Sequence, residues 1–181
     1  MHDGLSRKDP LTGRLRYLWT GELFNIFFLP ATVLYIAHTL QQPIGPLILY
    51  SVGMVIWILG QGSAYWWLKL QGLKAGQPIS RTHLRWFAVL KKVNGYLLSA
   101  GPVLVGVGLA THHPFTLFDG VTGVAFYLLA VLEQINYYHY QWMYDCPSDW
   151  RYLMRHNKLK RSNLSRTLEQ VQNALNPPTT T

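Results

Sequence analysis

Glu133-Gln134-Ile135-Asn136-Tyr137-Tyr138-His139-Tyr140-Gln141-Trp142-Met143-Tyr144-Asp145 follows directly on the apolar run from Val121 to Leu132. A carboxylate, amides, a histidine and several tyrosines stand where a long apolar segment is finishing. An apolar run of about 20 residues closed by Tyr and Trp is the pattern of a membrane helix reaching its interface. Three earlier segments repeat the pattern, and together they decide the fold.

The composition agrees. Of 181 residues, 49% are hydrophobic and only 13% are charged, about half the charged fraction usual in soluble domains. Seven Trp and eleven Tyr suit membrane interfaces. The length accommodates one domain. The expected spans cover about 19–40, 44–70, 86–111 and 117–142, with Pro30 a tolerated kink in the first. Residues 1–18 read as a polar cytoplasmic tail in which Pro10 and Gly13 argue against a long helix. No removable signal peptide is expected in Met1–Tyr17.

Charge sets the orientation. The sixteen Lys and Arg fall in the N-terminal tail, the 69–92 region and the chain after 145, while segments 41–46 and 112–119 have none. The positive-inside rule then places both termini in the cytoplasm. The fold expected is all-α: an antiparallel four-helix transmembrane bundle over 19–145, integral to a membrane, with a bacterial cytoplasmic membrane as the default. The net charge of +8 is accounted for by this topology, and nucleic acid is not expected as a partner.

Residues 146–181 read as a basic amphipathic cytoplasmic tail. Trp150 faces the membrane, and Arg151, Arg155, Lys158, Lys160 and Arg161 meet anionic headgroups of the bilayer. Leu164, Leu168, Val171 and Leu175 form a stripe at helical spacing that calls for a protein partner.

The topology puts polar residues at matched depth. Glu22 and Asn25 in span 1, and Glu133 and Asn136 in span 4, are each three residues apart and share a helix face. In antiparallel helices Glu22 comes level with Asn136, and Asn25 with Glu133. Gln61, Tyr65 and Asn94 fall in the same inner half, and Lys91 and Lys92 stand close enough to supply cations. Buried polar groups must be paired, so the plainest reading is a hydrogen-bonded layer that fixes helix register. The sharper reading is a cytoplasm-facing pocket for a cation, a proton or a polar headgroup, because carboxylates in spans face the interior and take partners.

No cofactor is expected. Both positions three after the glutamates hold Asn, which departs from the Glu-x-x-His of di-iron bundles. A bis-histidine haem protein through His38 with His112 or His113, or through His83 with His139, is the weaker alternative; interfacial histidines are the simpler account. Cys146 is the one cysteine, so no intrachain disulfide forms. Nucleophile-elbow, phosphate-loop and Cys-x-x-Cys motifs are absent. The sequon at Asn163 falls in the cytoplasm. The expected function is a non-enzymatic membrane protein that binds a partner or lipid. The alternative is a small transporter or membrane enzyme using Glu22 and Glu133.

Overall fold

A computed structural model describes residues 8–110, 116–141, 151, 154–155 and 159–175. The described residues are helical, without named strands: α1 Lys8–Thr39, α2 Pro46–Ala75, α3 Arg81–Ala110, α4 Leu117–Tyr138 and α5 Asn163–Leu175. Among them, Leu11–Thr39, Pro46–Ala75 and Leu117–Tyr138 are long and apolar enough to cross a membrane. The other long helix, α3, carries Arg81, Arg85, Lys91 and Lys92 in its first half.

The expectation that residues 1–18 contain no long helix is corrected. α1 starts at Lys8 and runs through Pro10 and Gly13. Pro10 lies in the first turn, where its missing N–H has no intrahelical acceptor to lose. A single glycine costs a helix only about 1 kcal/mol.

α2 is the central element. It packs extensively on α1 and on α4, more than any other pair of helices. Its start combines Gly45 as N-cap with Pro46 in the first turn; its end is closed by Gly76 at φ 67°, whose N–H donates to the carbonyls of Gly72 and Leu73. A side chain at that left-handed position would be strained. Val55 and Ile58 of α2, Ala130 and Tyr138 of α4, and Phe87 of α3 form the core. Gly123 lets α4 approach α2: a Cβ there would stand 2.5 Å from Leu47 Cγ.

Asp119 joins the starts of two helices. It lies in the first turn of α4, where its own N–H donates to Thr116 Oγ1 at 3.0 Å. Its Oδ1 accepts from Ile48 N at 2.9 Å, in the first turn of α2. Gly45 has no capping side chain, and a Cβ there would fall 2.2 Å from Asp119 Cγ. One buried carboxylate therefore caps α2 from another helix, and helix N-termini stabilise negative charge.

Pro102 lies inside α3. Having no N–H, it leaves the Leu98 carbonyl without its usual intrahelical donor. The Tyr127 hydroxyl of α4 donates to that carbonyl at 2.9 Å, and the Tyr50 hydroxyl of α2 donates to the Leu97 carbonyl. Neighbouring helices thus satisfy the backbone where α3 cannot.

α4 ends before the expected limit of its span at about 142. The helix stops at Tyr138 with His139 as C-cap. Tyr138 is fully buried, whereas Tyr140 is exposed. Residues after the cap turn back along the tail: Gln141 N donates to Lys160 O at 2.8 Å, and Ser162 N to His139 O at 3.1 Å. Ser162 Oγ donates to the Tyr137 carbonyl and accepts from Ser165 N at 3.1 Å. It therefore ties the end of α4 to the start of α5.

The apolar stripe of the tail begins in the same region. Leu164 is 3% exposed and belongs to the bundle core, with Leu168 packed against that core. α5 docks on α3 and α4. The stripe's first two residues find an apolar partner within this chain. The side chains of Val171 and Leu175 lie outside the described residues, as do Trp150 and Lys158. Arg151 and Arg155 have helical backbone and are exposed.

Candidate functional site

The expected polar layer resolves into two separate arrangements. The first is a buried amide network. Asn94 of α3 is wholly buried. Its Nδ2 donates to Gln61 Oε1 and to Gln134 Oε1, both at 2.8 Å. Its Oδ1 accepts from Trp57 Nε1 at 2.9 Å and from Gln61 Nε2 at 3.1 Å. The Tyr138 hydroxyl donates to Gln61 Oε1 at 2.6 Å, and Gln134 Nε2 donates to the Lys91 carbonyl at 3.3 Å. The network links α2, α3 and α4 with its amides satisfied, which is the arrangement that fixes register rather than receives a ligand.

The second arrangement surrounds Glu22. Its Oε1 accepts from Trp66 Nε1 at 2.7 Å. Its Oε2 is buried without a hydrogen bond of good geometry among the described residues and lies beside Tyr137. Gly62 makes the meeting of α1 and α4 side chains feasible: a Cβ there would stand 2.3 Å from Tyr137 Cζ and 2.5 Å from Glu22 Oε2. The reason is the order of the helices. α2 lies between α1 and α4, so Glu22 reaches α4 across the bare backbone of a glycine.

The anticipated cross-helix pairs do not form. Glu133 accepts from Asn136 Nδ2 of its own helix at 3.4 Å. Asn25 is exposed on the outside of α1. Lys92 is exposed and Lys91 half-buried, and among the described residues no ion pair links either to Glu22 or Glu133. Antiparallel depth was matched, but direct packing of α1 on α4 is absent from the close helix pairs.

Glu22 borders a cavity of about 240 Å³. α1 contributes Leu11, Arg14, Leu15, Leu18 and Glu22, α2 contributes Tyr65, Trp66 and Lys69, and α4 contributes Asn136 and Tyr137. The returning tail closes it with Lys160, Ser162 and Leu164. Lys69 Nζ stands 5.6 Å from the ring centroids of both Tyr65 and Trp66, a distance that suits cation–π attraction. Glu133 does not line this cavity.

Several of these residues were not anticipated from sequence. Leu11, Leu15 and Leu18 recur at helical spacing on the way to Glu22, a stripe hidden by reading 1–18 as a tail. Gln134 and Tyr138 are four apart on α4 and were masked by the aromatic run around them. Asp119 was legible as Thr116-x-x-Asp119, a helix-start signature.

Among the described residues no cluster of three His, Cys, Asp or Glu could hold a metal. His38 and His83 are exposed, and His83 Nδ1 bonds Ser80 Oγ at 2.7 Å. His139 caps α4; partial burial and then Lys91 hold its imidazole below the ordinary histidine pKa. His112 and His113 lie outside the described residues. No family model matches the chain, and neither a curated protein nor a solved structure does.

Proposed function

We propose that the chain is a four-span integral membrane protein, with both termini cytoplasmic, that binds a phosphate-bearing lipid headgroup in the cavity beside Glu22. The observation that carries this reading is convergence. Arg14, Lys69 and Lys160 come from α1, α2 and the tail to one cavity, and Leu11, Leu15 and Leu18 give it an apolar wall. Cations beside apolar surface at a membrane interface suit a phosphate with attached acyl chains.

Large exposed apolar side chains support the membrane placement. Phe24 and Phe27 of α1, Val103 and Val107 of α3, and Val121 and Leu128 of α4 face outward. An apolar surface so extensive is expected where lipid is the solvent. In this reading α3 is the fourth span, with Lys91 and Lys92 at headgroup level. The distribution of Lys and Arg supports the cytoplasmic placement of the termini, and a bacterial cytoplasmic membrane fits it.

The full chain reconstituted with phosphatidylethanolamine and phosphatidylglycerol, then purified in detergent, is expected to retain phospholipid. Lys69→Gln and Arg14→Gln together should reduce retained lipid phosphorus about tenfold, the effect of losing one or two charge-assisted contacts. Equal retention by the variant sinks the reading. A reporter fused after Gln42 should register as external, and a cytoplasmic signal there overturns the topology. The alternative, a transporter or membrane enzyme, has the deeply set carboxyl group of Glu22 at the cavity in its favour, although Glu133 stands away from the cavity.

A further inference from the structure

We infer that two copies of the chain pair through α1, side by side and in register, with Asn25 of each copy bonded to the partner's Asn25. The inference goes beyond headgroup binding and rests only on the membrane placement of α1. That helix is an outer one: α2 is its close neighbour among the described helices. Over Leu11–Thr39 it is long and apolar enough to cross a membrane. Asn25 stands at the midpoint of this segment and is exposed.

The hydroxyls on the outer sides of α1 have acceptors within the helix. Thr20 Oγ1 donates to the Arg16 carbonyl at 2.9 Å, Thr32 Oγ1 to the Phe28 carbonyl at 2.8 Å and Thr39 Oγ1 to the Tyr35 carbonyl at 2.9 Å. Asn25 makes no hydrogen bond among the described residues. Arg16, the nearest Lys or Arg on α1, is nine positions back, about 13 Å along the axis. A side chain with one methylene cannot snorkel that far to headgroups or water. An amide left in hydrocarbon without a partner is costly, and membrane amides find their bonds across helices.

The residues in line with Asn25 suit a second helix. Gly21, Asn25, Phe28, Thr32, Tyr35 and Thr39 recur at alternating spacings of four and three, the seven-residue repeat of two helices wound about each other. A Cβ at Gly21 would meet nothing within 4 Å, so that side of α1 is open to close approach. The seam runs beside the face of α1 that buries Leu15, Val33 and Ala37, so pairing leaves the packing on α2 in place. An amide is its own complement. In a two-fold pair whose axis follows the membrane normal, both copies hold residue 25 at one depth, and each Nδ2 donates to the partner's Oδ1. A single Asn in such a seam fixes register and favours two strands.

The test uses the full chain in the membranes where it is expressed, with Cys146→Ser removing the native thiol. Gly21→Cys and Phe28→Cys each supply a lone cysteine on the seam. Leu34→Cys supplies one on the other flank of α1, where the residue is also exposed. Oxidation with copper phenanthroline should link dimers through the two seam positions and not through the control. Energy transfer between labelled copies diluted in lipid gives the affinity. Asn25→Leu should raise the dissociation constant about tenfold, the loss of two interhelical hydrogen bonds, and Asn25→Gln much less. Leucine removes no bond that one copy makes within itself and suits lipid, so the variant tests pairing rather than folding.

Equal cross-linking through Leu34→Cys overturns the inference, as does an Asn25→Leu dimer as tight as the wild type. A chain that resists alkaline extraction from the membrane yet is monomeric at every dilution also overturns it, and membrane placement then stands. Release of the chain by alkaline extraction overturns the membrane placement itself, and the pairing with it.

Discussion

Gln61 and Asn94 hold each other by reciprocal amide hydrogen bonds, 3.1 Å from Gln61 Nε2 to Asn94 Oδ1 and 2.8 Å in return. The pair is the main polar link between α2 and α3, and it passes the connection to α4 through Gln134.

Asn94→Ala should therefore weaken the bundle. It removes the partners of Gln61, Gln134 and Trp57 together, and an unpaired buried polar group costs about 1–3 kcal/mol. The expected loss in detergent unfolding is of that order, since membrane hydrogen bonds average well under the largest values. Gln61→Leu in the same chain should add less than its separate effect. Strict additivity would show that the two amides act independently.

Gly62 and Gly60 make a matched comparison. A Cβ at Gly62 collides with Tyr137 and Glu22, whereas one at Gly60 meets nothing within 4 Å. Gly62→Ala should destabilise by about 1–3 kcal/mol through overpacking. Gly60→Ala should be neutral, or stabilising by up to about 1 kcal/mol. Thermal unfolding of the two variants side by side decides it, and similar behaviour would contradict the close meeting across α2.

At the opposite end, Asp119→Ala should cost about 1–2 kcal/mol, the usual effect of losing a helix cap. Asp119→Asn keeps an oxygen for Ile48 N and should lose less. Hydrogen exchange at the Ile48 amide provides a local reading: its protection should fall in the alanine variant and survive in the asparagine variant.

Acid should loosen the junction between α4 and the tail. The folded-state pKa of His139 is lowered, first by burial and then by Lys91. A depressed histidine pKa means the unfolded state binds the proton more readily. The junction's stability is then fully present above the ordinary histidine range, near pH 6.5, and declines as pH falls through the folded-state value. Proteolysis of the tail should be faster at pH 5.5 than at pH 7.5, and His139→Gln should flatten that difference. The same pH response in the variant would assign it to another group.

Sequence carried the helical class and the long apolar segments well, because lipid imposes length and hydropathy directly. It carried helix order poorly. Hydropathy does not encode which span sits in the middle, so Glu22 was matched with Asn136 when α2 intervenes. Gln61 and Asn94 were conspicuous as amides within apolar runs. Gln134 and Tyr138 were not, because they merge with a polar, aromatic helix end. The Leu164 and Leu168 stripe was legible, but an amphipathic face does not state whether its cover lies in another molecule or thirty residues back in its own chain. Asp119 was not singled out; its capping of α2 depends on a neighbour seventy-one residues away.

Ser162 and Leu164 give the protein an order of assembly. Both are synthesised after α1 through α4, yet Ser162 fastens the end of α4 and Leu164 fills the core beside Tyr65, Phe87 and Tyr137. The inserted helices must first hold together on α2 packing and the Asn94 amides, with the cavity still open on its tail side. Translation of the tail then shuts that wall. Assembly ends with a closure made by the last segment translated, and a ribosome stalled just after α4 would leave helices whose cavity lacks one wall.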